Sequence, residues 1–322
     1  MNTNHSGPTI QVHALRKSYG RQVVLDGIDF EVAQGTVYSL LGPNGSGKTT
    51  TIQILSTLIS ADDGDVRVAG HDLSREPDAV RAAIGVTGQF SAVDKFLTGE
   101  ENLVLMADLR HMGKRDGRRR AAELLDRFDL AEAANKPVST YSGGMQRRLD
   151  LAMTLVGDPR IIFLDEPTAG LDPRSRRTMW QIVRGLVASG VTIFLTTQYL
   201  EEADQLADRI AVLYHGKLVA QGTAAELKRL VPGGHISLQF TDAIALDKAA
   251  LLLTPTSRDD EALTLQVSAG GDVRSLKSML DRLDGAGIEV DGLTVHTPDL
   301  DDVFLALTAR PDSTGPQEAI AR

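Results

Sequence analysis

Apolar positions in this chain fall into runs of different period, and together they predict a mixed α/β architecture. Residues 36–41, 161–164 and 191–195 are short, unbroken and rich in β-branched side chains. Such runs predict strands buried on both faces. Residues 10–12 and 23–32 read as strands of an antiparallel edge sheet, with a turn at Lys17-Ser18-Tyr19-Gly20. Further short strands fall at 66–68 and 84–89, and Gly70-His71-Asp72 reads as a turn. Residues 210–213 and 217–220, joined by Tyr214-His215-Gly216, predict a hairpin. From about residue 92 to 156 the spacing becomes helical: Leu103, Met106 and Ala107 mark one helix, and Ala121, Leu124, Leu125 and Phe128 the next. Residues 174–188 predict another helix between two buried strands. A helical insert thus interrupts a mixed sheet core.

Val231-Pro232-Gly233-Gly234 reads as a linker. Beyond it, strands at 236–240, 262–267 and 288–295 alternate with helices at 246–253, 273–286 and 300–308, a small α+β unit of ferredoxin-like kind. The last helix opens with Thr297 as N-cap and Pro298 at its first position, and Asp299, Asp301 and Asp302 sit at the positive end of its dipole. Leu300, Val303, Phe304 and Leu307 then form one apolar stripe. Residues 1–8 and 311–322 are expected to be a disordered lead and tail. The expected domains are therefore 9–230, with the helical part at about 92–156, and 235–310.

Composition narrows the function. The 322 residues are 42% hydrophobic and 24% charged, as in ordinary globular proteins. A net charge of -9 argues against a general nucleic-acid binder, and the run Lys114-Arg115-Asp116-Gly117-Arg118-Arg119-Arg120 reads as a solvated helix face. The absence of cysteine excludes disulfides and cysteine-ligated metals and fits a cytosolic setting. No apolar run approaches the roughly 18 residues of a membrane span, and the first eight residues lack a signal core. Any membrane role is expected to come through a partner.

Candidate chemistry centres on Gly42-Pro43-Asn44-Gly45-Ser46-Gly47-Lys48-Thr49, which fits the phosphate-binding P-loop pattern between a strand and a helix. The glycines let successive backbone N–H groups converge on phosphate oxygens, with Thr50 continuing into the helix. Lys48 can reach the outer phosphates, and Thr49 can offer its hydroxyl to Mg²⁺. Asp165 ends the apolar run 161–164, where a P-loop protein holds its metal, and Glu166 follows as a group able to polarise water. Ser142-Gly143-Gly144 opens a further helix and presents free N–H groups to an anion, yet no Gly-Lys-[Ser/Thr] follows it.

In this order, the P-loop, Gln89, Ser142-Gly143-Gly144-Met145-Gln146, Asp165-Glu166 and Ala169-Gly170-Leu171-Asp172 resemble an ATP-binding cassette (ABC) ATPase over about residues 10–230. The resemblance implies a P-loop cassette fold with an antiparallel edge sheet and helical subdomain, and ATP and Mg²⁺ as cofactors. It implies that Tyr19 stacks on adenine and that Gln89 touches metal and attacking water. It also implies that Ser142, Gly143, Gly144 and Gln146 bind the γ-phosphate of ATP held by a second copy, in a head-to-tail dimer whose interface Asp172 crosses.

One position departs from the wider family. Gln198 stands where most cassettes carry histidine. Its amide can position γ-phosphate and water but cannot become a cation, which leaves positioning and not proton carriage. Thr196-Thr197-Gln198-Tyr199-Leu200-Glu201-Glu202-Ala203-Asp204, Val86-Thr87-Gly88-Gln89 and residues 300–308 resemble the daunorubicin-resistance type of exporter ATPase, extending the likeness to about Ala309. That resemblance implies a separate integral membrane permease subunit, a place on the cytoplasmic face of the membrane, cargo such as a drug, antibiotic or lipid-like natural product, and a carboxyl domain used in assembly. The alternatives are a cassette ATPase acting on ribosomes or nucleic acid, which two cassettes in one chain or long heptads would favour, and a scaffold that binds ATP without turnover. Lys48, Asp165 and Glu166 speak against the second.

Overall fold

A computed structural model of the chain describes residues 7–89, 92–231, 234–268, 273–296 and 298–308. They fall into two compact units, one through Ala224 and one from Ala225. The first unit runs β1 (Ile10–Tyr19), β2 (Gln22–Val32), β3 (Val37–Leu41), α1 (Lys48–Leu55), β4 (Asp63–Val68), β5 (His71–Asp72), α2 (Pro77–Ala83) and β6 (Ile84–Thr87). It continues with α3 (Gly99–Leu109), α4 (Lys114–Arg127), α5 (Gly143–Thr154), β7 (Ile161–Asp165), α6 (Pro173–Ala188), β8 (Thr192–Thr197), α7 (Leu200–Leu206), β9 (Arg209–Tyr214) and β10 (Lys217–Gly222). The short α8 (Ala224–Lys228) starts at the boundary.

Two sheets build this unit. An antiparallel one has the order β2-β1-β4-β5. A six-stranded one has the order β10-β9-β3-β8-β7-β6, parallel except for the β9–β10 hairpin. The unbroken apolar runs are explained by its two covered faces. Val37, Ile162, Leu164, Ile193 and Leu195 join the core formed with α3 to α6. The alternate residues Tyr38, Leu40, Ile161, Phe163 and Phe194 join the core formed with α1 and the antiparallel sheet. In this arrangement the carboxyl ends of β3, β7 and β8 lie side by side, which positions the site.

The strand β1 is longer than its three-residue apolar start suggests, and Lys17, Ser18 and Tyr19 belong to it; the turn falls at Gly20 and Arg21, since Tyr19 pairs with Gln22. The register shifts after Val12, and Ala14 lies at φ 48°, so a bulge breaks the alternation that would have marked the strand. His71 and Asp72, read as a turn, pair with β4. The helix α3 starts from a capping box in which Thr98 and Glu101 exchange bonds. The basic run lies on α4, where Arg119 and Arg120 pair with Asp116, Glu123 and Asp158 at 3.0–3.7 Å.

The second unit runs β11 (His235–Phe240), α9 (Ala243–Leu252), β12 (Pro255–Asp259), β13 (Thr264–Ser268), α10 (Val273–Gly285), β14 (Val290–His296) and α11 (Leu300–Thr308). Its antiparallel sheet has the order β12-β13-β11-β14, which with this βαββαβ succession is the ferredoxin-like arrangement. The strand β12 was absent from the expected elements. All five of its residues are exposed at the sheet edge, so no apolar alternation announces it. On α11, Leu300 and Val303 are buried while Phe304 is half-buried. The expected lead and tail (apart from Gly7 and Pro8), the Pro232-Gly233 linker and the Thr297 cap lie outside the described residues.

Candidate nucleotide site

The loop from Gly42 to Gly47 joins β3 to α1. Two glycines are fixed by different causes. A Cβ at Gly42 would lie 2.3 Å from the Leu213 carbonyl oxygen, so only a bare backbone passes there. Gly45 meets nothing within 4 Å but lies at φ 79°, which disfavours a side chain. The Gly42 N–H donates to the Thr197 carbonyl at 3.2 Å, tying the loop to the end of β8 next to Gln198. Pro43, Asn44, Thr49 and Thr50 lie at or near the surface, whereas Ser46 and Lys48 are buried.

Lys48 is 4% exposed. Its ammonium donates to the carbonyls of Gly42 at 2.8 Å and Pro43 at 3.0 Å and lies 3.5 Å from Glu166 Oε1. Burial pulls its pKa down, and the carboxylates of Glu166 and Asp165 pull it back up. The site thus holds a buried cation beside two carboxylates. Asp165 closes β7 and accepts from Thr196 Oγ1 at 2.5 Å. Glu166 follows at φ 47°, a left-handed conformation that a residue with a Cβ adopts at a cost, and its N–H donates to the Thr196 carbonyl at 3.1 Å. The loop fits a phosphate: the Ser46 hydroxyl is buried without a partner among the described residues, beside a lysine whose third contact is a replaceable carboxylate.

The remaining candidates divide. Gln198 is half-buried directly after β8. Gln89 is exposed two residues beyond β6, the strand paired with β7. Tyr19 is 51% exposed at the end of β1, with Lys17 Nζ 5.6 Å from its ring centre. Ser142 caps α5, its Oγ accepting from the Met145 N–H, and Gln146 Nε2 donates to the Tyr141 carbonyl. Asp172 caps α6, accepting from the Arg174 and Ser175 N–H groups and from Ser175 Oγ at 2.6 Å. These bonds lower its pKa, Ser175 most. A Cβ on Gly144 would lie 2.6 Å from that Ser175 Oγ, so within the chain this glycine has a packing reason as well as any ligand reason. The Ser142–Gln146 turn and Asp172 therefore form a second cluster joined through Ser175.

Four residues with no role assigned from the sequence also shape the site. Thr196 holds both Asp165 and Glu166. Glu202 on α7 is 0% exposed and accepts from Thr168 Oγ1 at 2.8 Å and Trp180 Nε1 at 3.2 Å. Arg147 and Asp150 on α5 bond to each other and to backbone on both sides of the site. Their i, i+3 spacing of opposite charge on a helix was visible in the sequence, but not what they would hold.

A sheet of this topology, a P-loop at its carboxyl edge and adjoining carboxylates define an ATPase of the cassette class. The ABC transporter family matches residues 25–169. The chain is 49% identical to "Daunorubicin resistance ATP-binding protein DrrA3" of Streptomyces coeruleorubidus, over 93% of this chain and 95% of that one. It is 46% identical to "Daunorubicin/doxorubicin resistance ATP-binding protein DrrA" of Streptomyces peucetius, over 96% of each. It is 38% identical to "Nod factor export ATP-binding protein I" of Paraburkholderia xenovorans, over 94% of this chain and 97% of that one. Among solved structures, the "ATP binding subunit of ABC transporter" superposes with a TM-score of 0.62 at 28% identity, covering 69% of this chain and 92% of that one. The chain belongs to the ABC transporter ATP-binding proteins, in the daunorubicin/doxorubicin-resistance group.

Proposed function

We propose that this ATPase powers efflux of a hydrophobic drug, antibiotic or lipid-like natural product through a separate integral membrane subunit, acting as a head-to-tail pair at the cytoplasmic face. The observation that carries the reading is the buried Lys48 set between the P-loop carbonyls and Glu166, in a chain whose relatives are named as resistance and export ATP-binding proteins. No helix among the described residues is long and apolar enough to cross a membrane, and the reading assigns the cargo path to the partner. Action on ribosomes or nucleic acid has no such support.

Under this reading each site residue has a role. The P-loop N–H groups and Lys48 bind the ATP phosphates. Lys48 then exchanges its Glu166 contact for a phosphate oxygen, and the released carboxylate accepts a proton from the attacking water. Gln198, beside the Gly42–Thr197 link, orients γ-phosphate and water through its amide. Thr49, Gln89 and Asp165 would hold Mg²⁺, which supplies positive charge against the phosphates. Tyr19 stacks on adenine, and Ser142, Gly143, Gly144, Gln146 and Asp172 serve the partner copy's nucleotide. The test is purification of the tagged chain from its own membranes with phosphate release measured. Recovery of an integral membrane protein together with ATP hydrolysis is expected. Hydrolysis without any membrane protein would refute the transport role, and neither would refute the whole reading.

A further inference from the structure

Arg147 lies on α5, one residue past Gln146, and its side chain is 11% exposed. A guanidinium has five N–H donors, and here each meets an acceptor. Nε donates to the Pro167 carbonyl at 2.9 Å. Nη1 donates to the Gly88 carbonyl at 2.8 Å and to Asp150 Oδ2 at 3.2 Å. Nη2 donates to the carbonyls of Asp165 at 2.9 Å and Glu166 at 3.3 Å. Asp150 is buried as well, and its Oδ1 accepts from the Ala92 N–H at 3.2 Å.

These bonds converge on two places. Gly88 and Ala92 flank Gln89, so the pair grips the backbone on either side of it. The carbonyls of Asp165, Glu166 and Pro167 belong to the turn that holds Glu166 in its left-handed conformation. One carboxylate would suffice to balance a buried guanidinium. Four further bonds to backbone carbonyls fix geometry. Only a rigid planar fork can reach all five acceptors; a lysine has three donors on a flexible stem.

We propose that Arg147 and Asp150 are positioning residues, a bracket through which the helix following Ser142-Gly143-Gly144 sets the Gln89 segment and the Glu166 turn together for hydrolysis. The proposal rests on the functional reading above and adds a route: displacement of α5 is passed to Gln89 and Glu166 by one side chain. Neither residue touches the reacting atoms, so the bracket acts on turnover more than on nucleotide affinity.

The test uses the full chain with Arg147→Lys, Asp150→Asn and the double variant, measuring melting temperature, binding of a fluorescent ATP analogue, kcat and KM. Arg147→Lys is expected to fold, to keep affinity and KM within about threefold, and to lose at least about tenfold in kcat. Asp150→Asn should lose less, and the double variant should be no slower than Arg147→Lys by more than about twofold, because the two act as one unit. A folded Arg147→Lys with kcat within about twofold of wild type overturns the proposal, as do multiplicative losses in the double variant. A joint fall of kcat, affinity and melting temperature in both single variants reduces the pair to a structural role and overturns it too. If Arg147→Lys fails to fold, Asp150→Asn decides: lower kcat at unchanged KM supports the bracket, and unchanged kcat overturns it. Lys48→Ala run alongside separates the two readings, since wild-type hydrolysis by that variant removes the site assignment whatever the bracket variants do.

Discussion

The two units of the chain bury different things. In the first, Lys48, Asp150, Asp165 and Glu202 are withdrawn from water together with ten serine, threonine and asparagine side chains. In the second, the core of β11, β13, α9 and α10 is apolar: Ile236, Leu238, Phe240, Leu246, Leu265, Met279 and Leu283. Its charged pairs, Arg258 with Asp247 and Asp260, and His296 with Asp302, stay at the surface. Among the described residues, every buried polar or charged side chain precedes Ala225. Burying charge costs free energy unless partners and hydrogen bonds offset it, so it persists where chemistry uses it. The first unit is built to react, whereas the core of the second serves packing.

The largest effect expected from that contrast is at Lys48. Lys48→Ala should lower ATP turnover by about 100-fold or more, the scale of losing one preorganised charge from an active site. Phosphate release at saturating ATP measures it, and turnover within twofold of wild type would break the contrast at its centre. Next comes Gln198. Gln198→Ala should slow hydrolysis by about tenfold with ATP affinity nearly unchanged, since an amide that positions without titrating affects turnover first. Gln198→His should stay active; a folded, ATP-binding but inactive histidine variant would show that its surroundings differ from those of the wider family.

A change in the second unit should spare the nucleotide chemistry. Phe304 is half-buried, so Phe304→Ala should cost about 1–2 kcal/mol, less than the figure for a fully buried phenyl. ATP binding should survive, while recovery of the membrane partner in a pull-down falls. Normal recovery from a folded variant would remove the assembly role of α11, and lost ATP binding would mean that the units are one cooperative whole. The smallest effect is at Glu202, whose pKa burial raises above its ordinary 4.5 against hydrogen bonds from Thr197, Thr168 and Trp180. A raised carboxyl favours the neutral form in the fold, so its contribution to stability falls as pH climbs from the ordinary value through the raised one. Glu202→Gln, neutral throughout, should therefore gain a few degrees in melting temperature over wild type at about pH 8 relative to the difference at about pH 5. A difference independent of pH would contradict this.

What was legible in the sequence was local. The P-loop lies in eight consecutive residues, Asp165 and Glu166 are adjacent, and the buried parallel strands are unbroken apolar runs. What was not legible depends on distance or on missing contrast. The Arg147 and Asp150 bonds join residues 88, 92 and 165–167, far apart in sequence and brought together only by the strand order β7-β6 and the packing of α5. The strand β12 is exposed throughout, and the bulge at Ala14 broke the period of β1. The packing of Gly144 against Ser175, where a Cβ would lie 2.6 Å from the hydroxyl, was likewise invisible in the sequence.

The account turns on Glu166 as the group that acts on water once Lys48 has let it go. The direct measurement is on Glu166→Gln, with ATP hydrolysis, ATP binding and ATP-dependent size-exclusion behaviour taken from one preparation. Turnover should fall by about 100-fold, binding should stay within about threefold, and ATP should shift the variant from monomer to a long-lived dimer. A variant that remains monomeric and hydrolyses ATP at the wild-type rate would contradict the account.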